Sequence, residues 1–241
     1  MKRISKEAAQ RLQVGWQQLR QESIISSFEV FSEDDGEFNR ITARDFGQIS
    51  KEFLDQLMSL DLESSSDGLC LCLGVEDDKV QVIWEMRING EKTYYQGDGD
   101  HFLTYITPNT TPTIPRLGES VNYKNEVCAN WAHIPYFEMN AIFFVNLQDK
   151  DKGSDLFLGR PRRVLKFVIP VDDILVMREV CTAGKSLLVH YGVNYGDAAR
   201  QMIPFVPLVQ IYTPNKNGFL QDDPEATYLD FVGPCPPNCP D

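Results

Sequence analysis

The spacing of apolar residues changes near Gly68, and this change limits the folds available to the chain. Before Gly68, apolar residues recur at helical intervals, as in Leu12, Trp16 and Leu19. From Leu69 onward they alternate at a spacing of two or form short apolar runs, which is typical of strands. Helices followed by strands predict an α+β fold, with a helical N-terminal region and then a β-rich body of short strands.

Two helices are predicted in the first part of the chain. One begins after Ser5, a residue that caps helices well, and extends to about Glu22. The second begins near Thr42. Its apolar stripe consists of Phe46, Ile49, Phe53, Leu57 and Leu60.

Strands are predicted from the period-two pattern and from turn residues. Asn89-Gly90 is typical of a two-residue hairpin turn. The predicted strands cover residues 69–75, 80–88, 92–96, 140–147, 164–169, 187–191 and 206–212. Strands and helices do not alternate regularly, which argues against a Rossmann fold. We therefore divide the chain into a helical region (1–62), a β-rich domain (63–213) and a proline-rich tail (214–241).

The charge of the chain restricts its partners. There are 35 acidic and 23 basic residues, which give a net charge of −12. A body this negative repels phosphate backbones, so the sequence predicts no direct binding to nucleic acid and favours a basic protein or peptide partner. The sequence contains no run of about 18 apolar residues, so no membrane span is predicted.

The chain start and the cysteines indicate a compartment. Residues 1–7 are charged and lack the apolar segment of a secretory signal. The six cysteines are too few and too scattered for a disulfide framework. We therefore expect an intracellular location, in the cytoplasm or the nucleus.

Two short motifs resemble parts of phosphate- and metal-binding sites. Gly184-Lys185-Ser186 resembles the end of a phosphate-binding loop, but Glu179 occupies the position where that motif requires its first glycine. Asp98-Gly99-Asp100-His101 offers oxygen and nitrogen ligands suited to Mn²⁺ or Mg²⁺, and the alternative is a solvated turn.

Cysteine pairs and one basic cluster give weaker signals. Cys70 and Cys72 lie two apart on a predicted strand and are expected to be buried structural thiols. Cys235 and Cys239 have a spacing compatible with zinc, but they supply only two of four ligands. Residues 159–163 form a basic cluster that is expected to be a solvated loop.

Two segments, which follow each other in the same order as in the family, resemble SET-domain protein lysine methyltransferases. Residues 183–195, which contain Tyr191-Gly192 after an apolar run, are similar to the closing motif of that family. Upstream, residues 130–134 (Asn-Trp-Ala-His-Ile) and 140–144 (Asn-Ala-Ile-Phe-Phe) resemble the family segment that binds the cofactor. The resemblance covers about residues 120–196 and implies a SET-like β-rich body. Residues 174–175 are expected to follow a strand that ends in Asp172-Asp173.

The resemblance implies a function and a set of site residues. The function is methyl transfer from S-adenosylmethionine to a lysine of a basic protein. The resemblance implies that Tyr191 is catalytic and lines the methyl-transfer channel, and that Asn130, His133 and Asn140 contact the cofactor. His133 aligns either with the family histidine or with the arginine before it, in which case Tyr136 occupies the family asparagine position.

The sequence also departs from the family pattern. The glycines of its opening motif are absent, and the nearest segment, residues 28–31, has Glu29 in place of a glycine. Two other functions therefore stay open. One is a non-catalytic binding domain with a degenerate cofactor site, and the other is a metal-dependent hydrolase that uses the Asp98–His101 loop.

Overall fold

The computed structural model describes residues 1–33, 36–97, 102–104, 121–139, 141–145, 162–195, 205–214, 227–230 and 233–235. The helices are α1 (Lys6–Gln18), α2 (Ile24–Ser27), α3 (Lys51–Ser59), α4 (Val121–His133), α5 (Tyr136–Met139) and α6 (Val171–Val180). The strands are β1 (Lys2–Ile4), β2 (Glu29–Ser32), β3 (Glu37–Arg40), β4 (Ala43–Gln48), β5 (Gly68–Glu76), β6 (Lys79–Ile88), β7 (Glu91–Gln96), β8 (Phe102–Leu103), β9 (Phe144–Val145), β10 (Arg162–Arg163), β11 (Lys166–Val168), β12 (Ser186–Val193), β13 (Phe205–Tyr212), β14 (Thr227–Asp230) and β15 (Gly233–Cys235).

Two antiparallel sheets form the framework of the fold. One has the strand order β1-β7-β6-β5-β11-β15, and the other has the order β14-β13-β12-β4-β8. Two small two-stranded sheets, β2-β3 and β9-β10, complete the described strands. The presence of both helices and several antiparallel sheets confirms the predicted α+β class.

Several local predictions are confirmed. The Ser5 hydroxyl accepts a hydrogen bond from the Ala8 amide and caps α1. Asn89 and Gly90 both have positive φ, as the tight turn between β6 and β7 requires. The strands predicted at 69–75 and 80–88 are confirmed as β5 and β6, which pair from Gly68 opposite Arg87 to Glu76 opposite Lys79.

The N-terminal region is less helical than the sequence predicts. It contains α1, α2 and α3, but it also supplies β1 and β4 to the two large sheets. The predicted helix start near Thr42 is wrong, because residues 43–48 pair with β12. Gly47 has a φ of 65°, which interrupts a helix, and α3 begins only after Ser50, whose hydroxyl accepts from the Phe53 amide.

Two further predictions are corrected in the second half. Residues 174–175 lie in α6 rather than after a strand, because Pro170 precedes a first turn that carries Asp172 and Asp173. The proline-rich tail also contributes structure, since β14 pairs with β13 and β15 pairs with β11.

Of the predicted strand at 140–147, the described part consists of a 3-10 turn over Ala141–Phe143 and the two-residue strand β9. Among the described residues, no helix is both long enough and apolar enough to cross a membrane.

Candidate functional site

Strand β12 positions Tyr191 in the interior of the protein. β12 lies between β4 and β13, and every one of its residues is buried. The Tyr191 amide donates to the carbonyl oxygen of Thr42, the residue directly before β4, at 2.9 Å, so the pairing with β12 begins one residue before β4. The side chain of Tyr191 is only 1% exposed.

Aromatic rings surround the Tyr191 side chain. The ring centroids of Phe28, Trp131 and Phe205 lie 5.4, 5.6 and 5.9 Å from that of Tyr191. Among the described residues, the Tyr191 hydroxyl has no hydrogen-bond partner. Burial raises the pKa of Tyr191, and the positive charge of Arg44 opposes that shift, so the hydroxyl stays protonated at neutral pH.

Helix α4 brings the second predicted segment to the same place. The Asn130 side-chain amide donates to the Val193 carbonyl oxygen at 3.1 Å, two residues beyond Tyr191. The helix approaches β12 closely at Gly192, where an added Cβ would lie 2.9 Å from Val127 Cγ2. The indole of Trp131 donates to the Ile41 carbonyl oxygen at 2.8 Å and fixes the ring that packs on Tyr191.

The other two predicted cofactor residues are not brought into this cluster. His133 is exposed at the end of α4, and its Nδ1 lies 2.7 Å from the Ala129 carbonyl oxygen of its own helix. Asn140 lies outside the described residues. Of the four predicted site residues, Asn130 and Tyr191 are therefore the pair that the structure brings together.

The opposite side of β12 holds a polar cluster that the sequence did not indicate. His190 is 2% exposed, and its Nε2 donates to Gln210 Oε1 at 2.7 Å. The Lys124 ammonium lies 5.9 Å from the centre of the Tyr228 ring, and that ring is 6.4 Å from the His190 ring. Burial, together with the charge of Lys124, lowers the pKa of His190 to about 3, so the imidazole is neutral at physiological pH. The signal for a buried His190 was its place in an apolar strand.

The remaining sequence motifs do not add a site. Gly184 forms a turn that leads into a strand and not into a helix, unlike a phosphate-binding loop. Cys70 and Cys72 are buried as predicted, and burial raises the pKa of both thiols. Within the described part of the chain, no three His, Cys, Asp or Glu side chains are grouped to hold a metal ion. The Asp98–His101 loop and Cys239 lie outside it.

Arg163 corrects the expectation of a solvated basic loop. Its guanidinium lies over the rings of Trp16 and Phe144, at 5.1 and 5.2 Å from the ring centres. It also donates to the Trp16 carbonyl oxygen, so this cation serves the packing of α1.

A cavity of about 310 Å³ lies elsewhere, at the end of the sheet that contains β5 and β6. Leu69, Ile174, Glu85 and Arg87 are among its described lining residues, and Asn130, His133 and Tyr191 are not. Glu85 is paired with Lys92 at 3.1 Å and with Lys166 at 3.4 Å. The cavity is therefore separate from the Tyr191 cluster.

Comparisons with protein-family models, with curated proteins and with solved structures found no match to this chain.

Proposed function

We propose that this protein transfers a methyl group from S-adenosylmethionine to a lysine of a basic protein. One observation carries the proposal. The two segments that resemble SET-domain motifs contact each other across 60 or more positions of sequence, through the Asn130–Val193 hydrogen bond and the Trp131–Tyr191 ring contact. A buried hydroxyl that has no partner among the described residues lies at their junction, and such a group is free to act on a substrate.

The proposed cofactor site lies where α4 meets the end of β12. S-adenosylmethionine, when bound, supplies a methyl group on a positively charged sulfonium. Asn130 would hold the cofactor from α4, and His133 and Asn140 are the further contacts that the resemblance implies. We expect binding in a region of aromatic rings, since such rings attract a sulfonium cation.

Tyr191 would orient the acceptor amine. The lysine must lose its proton before it attacks, and free lysine has a pKa of about 10.4, so the site must be dry enough to favour the neutral form. S-adenosylmethionine would supply the methyl carbon to the lysine nitrogen, and its sulfur would leave with the electron pair of the carbon–sulfur bond. Among the described residues the Tyr191 hydroxyl has no hydrogen-bond partner, so it would be available to that amine.

Charge and compartment agree with this proposal. The net charge of −12 favours association with lysine- and arginine-rich segments. We propose an intracellular location, which the free thiols of Cys70, Cys72, Cys128 and Cys181 support.

The test is methyl transfer from labelled S-adenosylmethionine to a panel of basic peptides. We expect Tyr191→Phe to lower turnover about 10²–10³-fold while cofactor affinity changes little, because the hydroxyl acts where charge redistributes. Tyr95→Phe is the matched control. Tyr95 is also fully buried with an unpartnered hydroxyl among the described residues, but it lies on β7, and its loss should leave turnover unchanged.

The second candidate is a non-catalytic binding domain, which the near-complete enclosure of Tyr191 favours. A thermal-shift titration separates the two. At 100 times the dissociation constant, a ligand of the folded state adds about 2.7 kcal/mol to the free energy of unfolding. A folded protein that gains no stability at millimolar S-adenosylmethionine, and methylates none of the peptides, would establish the binding domain instead.

A further inference from the structure

The exposed aromatic side chains of the described residues are grouped on neighbouring elements. Five aromatic side chains are exposed, and we call them together the aromatic surface. They are Phe31 (55% exposed), Phe38 (65%), Tyr136 (52%), Phe137 (81%) and Tyr195 (46%). Single exposed apolar side chains are ordinary, but a group of rings marks an interaction site.

The β2-β3 hairpin supplies two of these rings on one face. Phe31 lies directly opposite Phe38, and Glu29 lies opposite Arg40. Residues two apart on a strand share a face, so these four side chains lie on the same side of the hairpin. The rings of Phe31 and Phe38 meet at 5.3 Å between centroids, in an edge-on arrangement.

Helix α5 continues the surface beside this hairpin. The Arg40 guanidinium lies 5.0 Å from the centre of the Tyr136 ring, and the Tyr136 hydroxyl hydrogen-bonds to the Glu29 carboxylate. Tyr195 feels the charge of Glu138, which also belongs to α5. The hairpin, α5 and the segment after β12 are therefore neighbours.

Glu29 is the second, independent sign of a ligand. It is 8% exposed, and its Oε1 is buried without a hydrogen-bond partner among the described residues. Its negative charge lies beside the rings of the aromatic surface, where it adds to the attraction for a cationic partner.

Charge identifies the chemistry of that partner. The sequence between β2 and β3 contains Glu33, Asp34 and Asp35, and Glu37 is the first residue of β3. Aromatic faces attract guanidinium and ammonium groups, and carboxylates nearby add to that attraction. An uncharged or acidic partner would be attracted neither by the aromatic faces nor by the carboxylates.

The surface is connected to the proposed methyl-transfer site. β2 begins one residue after Phe28, which packs on Tyr191, and Tyr195 lies four residues after Tyr191. We infer that the aromatic surface binds an arginine- or lysine-rich segment of the substrate protein, adjacent to the lysine that is methylated. The identity of the partner as a substrate rests on the proposed function.

The test uses a fluorescein-labelled peptide of alternating arginine and serine, which has no lysine to methylate. We expect the Phe31→Ser/Phe38→Ser variant to bind it about 5–30-fold more weakly than the wild type, the loss of two exposed cation–π contacts. Met58→Ser/Leu175→Ser is the matched control, because those side chains are similarly exposed (53% and 49%) but lie on α3 and α6. Affinity of the control should equal that of the wild type.

A second variant avoids any change in apolar surface. Glu33→Lys reverses one exposed charge beside the rings, and it should weaken binding most at low salt, since exposed charges are screened at high salt. Thermal melts of all variants establish that they are folded.

The outcomes separate this inference from the proposed function. The inference is overturned if the Phe31→Ser/Phe38→Ser variant binds as well as the wild type, if the control variant loses as much affinity, or if an alternating glutamate-serine peptide binds equally. Ring-dependent binding without methylation of any lysine peptide would leave the surface standing and remove the methyltransferase. If the Phe31→Ser/Phe38→Ser variant methylates lysine peptides with an unchanged KM, the methyltransferase stands and the aromatic surface is removed.

Discussion

Tyr191 and His190 are neighbours in β12 but lie on opposite faces, because successive side chains of a strand alternate. Both are buried, at 1% and 2% exposure. The Tyr191 side is made of aromatic rings and leaves a hydroxyl without a described partner, whereas the imidazole of His190 is paired with Gln210. The His190 imidazole, which helps the fold, has a hydrogen-bond partner. The Tyr191 hydroxyl, which has none among the described residues, lies where we propose methyl transfer.

Loss of Trp131 should have the largest effect, because its ring closes the Tyr191 side. Its centroid lies 5.0 Å from that of Phe28, and its indole donates to the Ile41 carbonyl oxygen. We expect Trp131→Ala to lower the free energy of unfolding by about 3–5 kcal/mol in urea titrations. Phe137→Ala, at an 81% exposed position, should stay within about 0.5 kcal/mol of the wild type. Equal effects of the two changes would contradict the packing described.

Gln210→Leu tests the His190 side. It leaves the buried imidazole N–H without its acceptor, and we expect a loss of about 1–3 kcal/mol. Replacing both partners, as in His190→Leu/Gln210→Leu, should restore much of that stability, because no polar group is then left unpaired. A double variant that is less stable than the sum of the single changes would refute this account.

The pH dependence of stability should come partly from the same imidazole. The pKa of His190 is about 3 in the folded protein and about 6.5 when unfolded, so between these values the unfolded chain binds more protons. The contribution of His190 to the free energy of unfolding is therefore at its maximum above about pH 6.5. It decreases by about 2 kcal/mol between pH 7 and pH 5. Unfolding titrations across this range should show the fall in the wild type and in His133→Gln, and a smaller fall in His190→Gln.

Tyr191→Phe should have the smallest effect on stability. The hydroxyl has no described partner, so its removal should change the free energy of unfolding by less than about 1 kcal/mol, with stabilisation the expected direction. By contrast, the Tyr212 hydroxyl donates to Asp45 Oδ1 at 3.3 Å, and Tyr212→Phe should be destabilising by about 1 kcal/mol. A large loss in Tyr191→Phe alone would reveal a hidden partner and weaken its assignment as the reacting group.

Local signals in the sequence predicted those parts of the fold that are determined locally. The Ser5 cap and the Asn89-Gly90 turn depend on neighbouring residues, and both are confirmed. The strand at 43–48 depends on β12, whose partner residues are 138 to 147 positions away, so an apolar stripe at helical spacing was misleading there. The helix at 171–180 was not predicted, although its start signals, Pro170 and the two aspartates that follow, are local.

The candidate site was predictable in part. The motif resemblance selected Asn130 and Tyr191, which are close in space, but spacing along the chain could not indicate that His133 bonds to its own helix. The environment of each group was not predictable either. Whether a strand residue faces rings or amides is decided by partners from α4 and β13, which the sequence places far from β12.

The bond between Trp16 and Val164 has a consequence during synthesis. The Trp16 indole donates to the Val164 carbonyl oxygen at 2.6 Å, across 148 positions of sequence. At a translation rate of about 5–20 residues per second, that acceptor is made roughly 7–30 s after the tryptophan. Throughout that interval the indole of the first helix lacks its acceptor, so the final packing of this helix has to wait until the second half of the chain is made.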